Sequence, residues 1–91
     1  MTDRLHVYVS GRVQGVFFRA TVQQQAQALA LTGWVCNRPD GGVEAEFEGP
    51  KELLEKILRW CHQGPPLARV TAVEACWEQG DARYDSFQCR Y

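Results

Sequence analysis

The spacing of apolar residues changes from every second position to every third or fourth position early in the chain, and a glycine-rich loop lies at the change. Residues 5–9 alternate between apolar and more polar side chains, which predicts a half-buried strand that ends at Gly11. Over residues 18–31 the apolar side chains recur at helical spacing, and Thr32 and Gly33 follow as a stop signal. A strand that leads through a short loop into a helix restricts the chain to folds in which helices pack on a sheet.

The rest of the chain adds a hairpin, a second helix and two further strands. Residues 34–37 are short and extended, the residues that follow favour a tight turn, and residues 43–48 alternate again. Helical spacing covers residues 50–62, and alternation returns over residues 68–78 and 87–91. The predicted fold is an α+β, ferredoxin-like two-layer sandwich, βαββαβ with an extra terminal strand, a mostly antiparallel sheet and two helices on one face. We expect a single domain over residues 1–91.

Composition excludes several classes of protein. The chain has 91 residues, 45% hydrophobic and 23% charged, with a formal net charge of −1. So small a net charge predicts neither nucleic acid nor an anionic membrane as a partner. The apolar runs are far shorter than the roughly 20 residues that a membrane span needs, and residues 1–4 lack a signal-peptide pattern. We therefore expect a cytoplasmic protein, and its size and lack of an apolar surface stripe favour a monomer.

The cysteines and glutamates do not form a metal-binding pattern. The four cysteines are widely separated, with no C-x-x-C pair and no neighbouring histidine, so reduced and packed thiols are expected at Cys36, Cys61, Cys76 and Cys89. Three glutamates alternate along one strand, which predicts an exposed strand face rather than a calcium site at Glu44, Glu46 and Glu48. We predict no bound metal.

The loop between the first strand and the first helix, GRVQGVFFR at residues 11–19, is the strongest functional signal in the chain. Glycines let backbone N–H groups converge on an anion, and a helix N-terminus adds about half a positive charge. At the helix start, Arg19 supplies a planar fork of donors that matches phosphate oxygens. The loop therefore predicts a ligand that carries a phosphate group.

Together with the segment GWVCNRPDGGVEAEFEG at residues 33–49, this loop closely resembles the acylphosphatases, small enzymes that hydrolyse the mixed anhydride between a carboxylic acid and phosphate. The resemblance covers nearly the whole chain. Its specific parts are the loop, GWV-x-N at residues 33–37, the PDGGVE turn at residues 39–44, and the closing aromatic pair Phe87 and Tyr91. Agreement of all four is far more specific than two glycines alone.

The resemblance implies a role for each site residue. Arg19 binds the substrate phosphate, and Asn37 orients the attacking water. The phosphate-binding loop that surrounds the phosphate oxygens comprises Gly11, Arg12, Val13, Gln14, Gly15, Val16, Phe17 and Phe18. The substrate is a small-molecule acyl phosphate, and no cofactor or metal is implied. Because a carboxylate with a pKa of about 4 leaves without protonation, no general acid is required, and His6 and His62 are expected to have no catalytic role.

One departure from the family pattern and two other functions remain open. Cys36 precedes Asn37 where a basic residue is more usual. We expect Cys36 to face away from Asn37, because neighbouring strand residues point to opposite faces, and Arg38 to supply the missing charge. The alternatives are a binding module for phosphorylated ligands or RNA, and a detached homologue of the domain found in hydrogenase maturation factors that process carbamoyl phosphate.

Overall fold

A computed structural model describes residues 1–90, and over these residues the predicted elements occur in the predicted order. They are β1 (Thr2–Arg12), α1 (Phe18–Ala28), β2 (Thr32–Asn37), β3 (Val43–Gly49), α2 (Lys51–Gln63), β4 (Arg69–Gly80) and β5 (Phe87–Arg90). The strands form one mixed sheet in the order β4-β1-β3-β2-β5, antiparallel throughout except where β5 lies parallel to β2. The ferredoxin-like α+β fold is confirmed, while Tyr91, predicted to close the last strand, lies outside the described residues.

The core lies between the sheet and the two helices of residues 1–90. Alternation on β1 and β3 places their apolar side chains on the helix side, where Leu5 is paired with Phe47 and Val7 with Ala45. The helices contribute residues at helical spacing, namely Phe18, Val22 and Ala26 from α1 and Leu54, Ile57 and Cys61 from α2. Burying each large apolar side chain contributes about 1.5–3 kcal/mol, so this layer fixes how both helices sit on the sheet.

The face of the sheet away from the helices is not the exposed strand face that the alternating glutamates predicted. Glu46 and Glu48 are only 6% and 2% exposed. Glu48 Oε2 accepts hydrogen bonds from Arg4 Nε at 2.9 Å and Arg4 Nη2 at 2.8 Å, and Glu48 Oε1 accepts one from the backbone N–H of Arg83 at 2.9 Å. The prediction was wrong because the β4–β5 connection folds back over this face and buries the carboxylates against polar partners.

The first helix ends three residues earlier than predicted, at Ala28, and the stop is not Gly33. Ala30 adopts the left-handed conformation at φ 56°, and the N–H of Leu31 donates to the carbonyl of Ala26 at 2.9 Å. This is a Schellman ending, in which glycine is the usual residue at the left-handed position. Gly33 lies inside β2, where a Cβ would stand 1.8 Å from the carbonyl oxygen of Glu46.

The first strand does not end at Gly11 but continues to Arg12. The pairing of β1 with β4 shifts register between Ser10 and Gly11 and then resumes, with Arg12 opposite Arg69. Such a bulge needs glycine here, because a Cβ on Gly11 would lie 2.1 Å from the carbonyl oxygen of Arg69.

No helix within residues 1–90 is long and apolar enough to cross a membrane.

Candidate active site

The loop between β1 and α1 is held to the core by alternate residues. Val13, Val16 and Phe18 are at most 3% exposed, whereas Gly15 and Phe17 face solvent. Gly15 and Phe17 also have left-handed backbones, at φ 73° and 65°. Alternation of left-handed and ordinary conformations is the backbone geometry of a nest, in which successive N–H groups point toward one concave side. The buried apolar side chains hold this backbone in place.

The start of α1 adds further donors beside this nest. Phe17 is the N-cap residue, and within residues 1–90 no side chain caps the helix. The helix begins with the N–H of Thr21 donating to the carbonyl of Phe17 at 3.0 Å. The N–H groups of the first helical turn point out of the end of the helix and carry the positive end of its dipole.

Arg19 lies in the first turn of α1 and is held by the last strand. Its Nη1 donates to the carbonyl oxygen of Arg90 at 3.0 Å. Because β5 runs parallel to β2 at the edge of the sheet, this contact brings the guanidinium toward the end of β2, where Asn37 lies. Arg19 and Asn37 line the same cavity of about 240 Å³.

Asn37 is placed by a tight turn that follows β2. The N–H of Arg38 donates to the carbonyl of Gly42 at 2.8 Å, and the N–H of Gly42 donates to Asp40 Oδ1 at 3.0 Å. The backbone N–H of Gly42, together with the Arg38 guanidinium, lowers the pKa of the Asp40 carboxyl. An ionised Asp40 thus closes the turn and fixes the end of β2 that carries Asn37.

Gln14 connects the β1–α1 loop to this turn. Its Nε2 donates to the carbonyl oxygen of Arg38 at 2.7 Å and to that of Gly42 at 2.9 Å. The side chain therefore points toward the turn, and it is not among the groups that line the cavity. This amide therefore joins the β1–α1 loop directly to the turn that follows Asn37.

The structure brings most of the predicted site residues together around the cavity. Those that line it are Val13, Gly15, Phe17, Phe18, Arg19 and Asn37. Gly11 and Arg12 instead pair with β4 as part of β1, and the buried Val16 anchors the loop. Sequence reasoning missed Ala20 and Cys89, which also line the cavity. The pairing of β5 beside β2 brings Cys89 there, and nothing in the local sequence indicates that pairing.

The expectation that Arg38 supplies charge to the site was wrong. Its guanidinium donates to Asp40 Oδ2 and to Glu44 Oε1, each at 3.1 Å, and stands 4.9 Å from the centre of the Tyr8 ring. These partners draw it to the helix-free face of the sheet. Arg19 therefore carries the guanidinium charge at the cavity.

Both histidines and Cys36 lie apart from the cavity lining. His6 Nε2 lies 2.6 Å from Glu44 Oε2 on the helix-free face, and His62 is exposed at the end of α2. Burial raises the pKa of the Cys36 thiol, whose register partner on β3 is Glu44. Within residues 1–90 there is no group of three histidine, cysteine or acidic side chains placed to hold a metal ion.

Comparison with known proteins identifies the arrangement. The family model described as Acylphosphatase matches residues 5–89. The chain belongs to the acylphosphatase family. It is 49% identical to an acylphosphatase of Pelotomaculum thermopropionicum over 97% of this chain and 96% of that protein. It is 51% identical to an acylphosphatase of Rubrobacter xylanophilus over 98% of this chain and 81% of that protein.

A solved structure leads to the same family. The crystal structure of acylphosphatase from Bacillus subtilis matches with a TM-score of 0.94 and 36% sequence identity, covering 98% of this chain and 99% of that one. The expectation that the chain is an acylphosphatase is therefore confirmed. Hydrolysis of acyl phosphates is the activity that the family and the relatives at about half identity support.

Proposed function

We propose that the chain hydrolyses an acyl phosphate by direct attack of a water that Asn37 holds on a phosphoryl group that Arg19 and the loop amides bind. The observation that carries this proposal is the convergence of Arg19, Asn37 and the left-handed loop residues Gly15 and Phe17 on one cavity. These groups come from the β1–α1 loop, the first turn of α1 and the end of β2.

The N–H groups of the β1–α1 loop and the Arg19 guanidinium, together called the cradle, bind the phosphate and stabilise its charge as the reaction proceeds. The phosphoryl oxygens accept hydrogen bonds from the loop N–H groups and from the Arg19 guanidinium. Charge-assisted bonds of this kind are about twice as strong as neutral ones, and donors fixed before the reaction cost no reorganisation. Because Arg90 holds the guanidinium through its carbonyl, Arg19 is already oriented when substrate arrives.

Asn37 acts by position rather than by basicity. Its side-chain carbonyl accepts a hydrogen bond from a water and aligns the oxygen with phosphorus, opposite the acyl oxygen. The water oxygen forms a bond to phosphorus while the bond from phosphorus to the acyl oxygen breaks, and its electron pair leaves with the carboxylate. One water proton stays on the new hydroxyl of the phosphate, and the other passes to a phosphate oxygen.

The leaving group makes further catalytic machinery unnecessary. A carboxylate is a stable anion at neutral pH, so its departure needs no proton donor. The arginine and the oriented amides supply the positive field that metal ions supply in other phosphoryl-transfer enzymes. The proposed reaction therefore requires no cofactor.

The test replaces the two proposed catalytic residues separately and follows the hydrolysis of benzoyl phosphate. Arg19→Gln is expected to weaken competitive inhibition by inorganic phosphate and to lower kcat/KM by about 10²–10³-fold. Asn37→Ala is expected to lower kcat by a similar factor while inhibition by phosphate changes little, because its amide contacts water rather than phosphate. Arg59→Gln and Gln24→Ala, exposed changes on α2 and α1, serve as matched controls. Full activity of either site variant would falsify the mechanism.

The same assay separates the enzyme from a binding module for phosphorylated ligands. A binding module would bind inorganic phosphate but leave benzoyl phosphate at its spontaneous rate of hydrolysis. An alkyl phosphate monoester is expected to bind yet to react poorly, because an alkoxide leaves far less easily than a carboxylate. Rapid hydrolysis of such an ester would instead indicate a general phosphatase.

Cytoplasmic location and a monomeric state complete the proposal. Free thiols at Cys36, Cys61, Cys76 and Cys89 favour a reducing compartment. Among residues 1–90 four large apolar side chains are exposed, and they come from separate parts of the chain rather than from one helix or strand face: Met1, Phe17, Leu67 and Trp77. Sedimentation of the purified protein measures the oligomeric state directly.

A further inference from the structure

Phe17 is an aromatic side chain that neither the fold nor the proposed mechanism uses. It is 74% exposed, so it contributes little to the core. Its backbone is left-handed at φ 65°, a conformation that is unfavourable for a bulky side chain and that glycine adopts without cost. The N–H of residue 17 serves the nest whatever the side chain is. A phenylalanine here therefore calls for a reason in the side chain itself.

Phe17 is one of the residues that line the cavity containing the proposed catalytic groups. The lining also includes Ala20, which is exposed, and Cys89, which is half-buried, whereas Val13 and Phe18 are in the lining but almost fully buried. Arg19 and Asn37 line the same cavity and supply its polar side chains. The cavity thus pairs a polar part, suited to phosphate and water, with an apolar wall.

The substrate has the same two-part character. A single oxygen joins the acyl carbon to phosphorus, so when the cradle holds the phosphate the acyl group must lie beside it, against the lining of the same cavity. We propose that the Phe17 ring contacts the acyl group and makes the enzyme prefer aromatic or longer aliphatic acyl phosphates over acetyl phosphate. This inference rests on the proposed hydrolysis of acyl phosphates and adds a substrate preference to it.

The contact acts on binding rather than on the chemical step. The acyl group lies against Phe17 both before and during cleavage of the bond from phosphorus to oxygen, so the contact lowers KM and leaves kcat largely unchanged. A benzoyl ring can pair with the Phe17 ring, whereas an acetyl group cannot. In addition to the burial of apolar area, this pairing favours benzoyl over acetyl phosphate by about 3- to 10-fold in kcat/KM.

The experiment measures kcat and KM of the wild-type enzyme, Phe17→Gly and Phe17→Asn with benzoyl phosphate and with acetyl phosphate. Glycine and asparagine both tolerate a left-handed backbone, so each variant keeps the loop conformation. The ratio of the two kcat/KM values is expected to fall about 3- to 10-fold in both variants, mainly through KM for benzoyl phosphate. A change in the loop backbone would lower kcat/KM for both substrates equally, so it would cancel in the ratio. Leu67→Ala removes a side chain that is 66% exposed and outside the cavity lining, and it is the matched control.

Competition by benzylphosphonate and methylphosphonate, which cannot be hydrolysed, provides a second readout for a variant too slow to assay. The benzyl compound is expected to lose its advantage over the methyl compound in both Phe17 variants. The inference is overturned if both variants keep two ratios within twofold of wild type: the ratio of kcat/KM for the two substrates and the ratio of inhibition by the two phosphonates. The proposed function would still stand. A wild-type enzyme that hydrolyses neither acyl phosphate would overturn the proposed function, and the inference with it.

Discussion

Gln14 differs from its neighbours in the phosphate loop because its side chain serves another segment. It donates to the carbonyl oxygens of Arg38 and Gly42, which flank the turn after Asn37. Each such bond contributes about 0.5–1.5 kcal/mol, enough to favour one arrangement of loop and turn over others. Gln14 is therefore a positioning residue for Asn37 in the proposed mechanism.

Gln14→Ala tests this role. The variant is expected to lower kcat about 10- to 100-fold, because a water held by a displaced Asn37 is no longer aligned with phosphorus. Inhibition by inorganic phosphate is expected to stay within about twofold of wild type, since the side chain lies outside the cavity lining. Steady-state kinetics with benzoyl phosphate provide the measurement, and Gln24→Ala on the exposed face of α1 is the control. Equal losses in kcat and in phosphate affinity would mean that the whole loop had collapsed.

The sequence indicated candidate residues that belong to a local motif and missed those that depend on contacts through space. Arg19 and Asn37 were predicted because each occupies a fixed place in a recognisable segment; the structure brings both to one cavity, and their roles belong to the proposed mechanism. The direction of the Gln14 side chain and the pairing of Arg38 with Glu44 depend on how distant segments meet. Cys89 reaches the cavity only because β5 pairs with β2.

Among the elements, α1 has an ending that its own sequence does not favour. Ala30 occupies the left-handed position of the Schellman motif, where a Cβ is unfavourable. The hydrogen bond from the N–H of Leu31 to the carbonyl of Ala26 nevertheless forms, and Leu31 is 2% exposed. Burial of Leu31 and the start of β2 directly afterwards impose the turn on Ala30.

Ala30→Gly is therefore expected to stabilise the protein. Removing the Cβ relieves about 1–2 kcal/mol of backbone strain, and the greater freedom of glycine in the unfolded chain offsets part of this, so a net gain of about 0.5–1 kcal/mol is expected. Urea unfolding at pH 7 measures the change. Gln24→Gly, inside the same helix, is expected to destabilise by about 0.5–1 kcal/mol. If both glycine variants lose stability, the left-handed position is not strained.

Apolar spacing and turn signals together predicted every element within residues 1–90, but several of the predicted ends differ from the structure. An apolar spacing reports which face of a helix or strand is buried, and that signal holds across the interior of an element. The end of a helix or strand is decided instead by the segments that pair or pack against it. Strand β1 continues past Gly11 because β4 pairs with it through a bulge, and α1 stops before Ala30 because Leu31 turns into the core.

At the scale of the whole molecule, the sheet is covered on both sides by different means. The helices cover one face with apolar side chains, and residues 81–86 cover part of the other through hydrogen bonds to buried glutamates. Arg4 ties this connection to the sheet by donating to Glu48 and to the carbonyl oxygen of Asp81 at 2.8 Å. The same connection leads into β5, whose Arg90 carbonyl holds Arg19. Alternation alone could not reveal this cover, because polar residues alternate equally on an open strand face.

Glu46 links this cover to the pH dependence of stability. Its burial alone would raise the pKa of the carboxyl, but hydrogen bonds from Tyr84 and His6, and the charge of Arg83, hold that pKa below its ordinary value. In the unfolded state the pKa of a glutamate carboxyl is about 4.3. A carboxyl whose pKa is lower than this in the folded state stabilises the fold at pH values above about 4.3. This stabilisation is lost as the pH falls through the lowered pKa of the folded state.

Glu46→Gln keeps the shape of the side chain and removes its charge. At pH 7 the variant is expected to be less stable by about 1–3 kcal/mol, because bonds to an ionised acceptor become bonds to a neutral amide. The difference should shrink as the pH falls below the unfolded-state pKa of about 4.3 and then through the lowered pKa of the folded state, because the wild-type carboxyl is then neutral in both states. Urea unfolding of both proteins between pH 7 and pH 3 measures the two curves, with Glu55→Gln on the exposed face of α2 as the control. A difference that stays constant across this range would show that Glu46 stabilises the fold by packing and not by its charge.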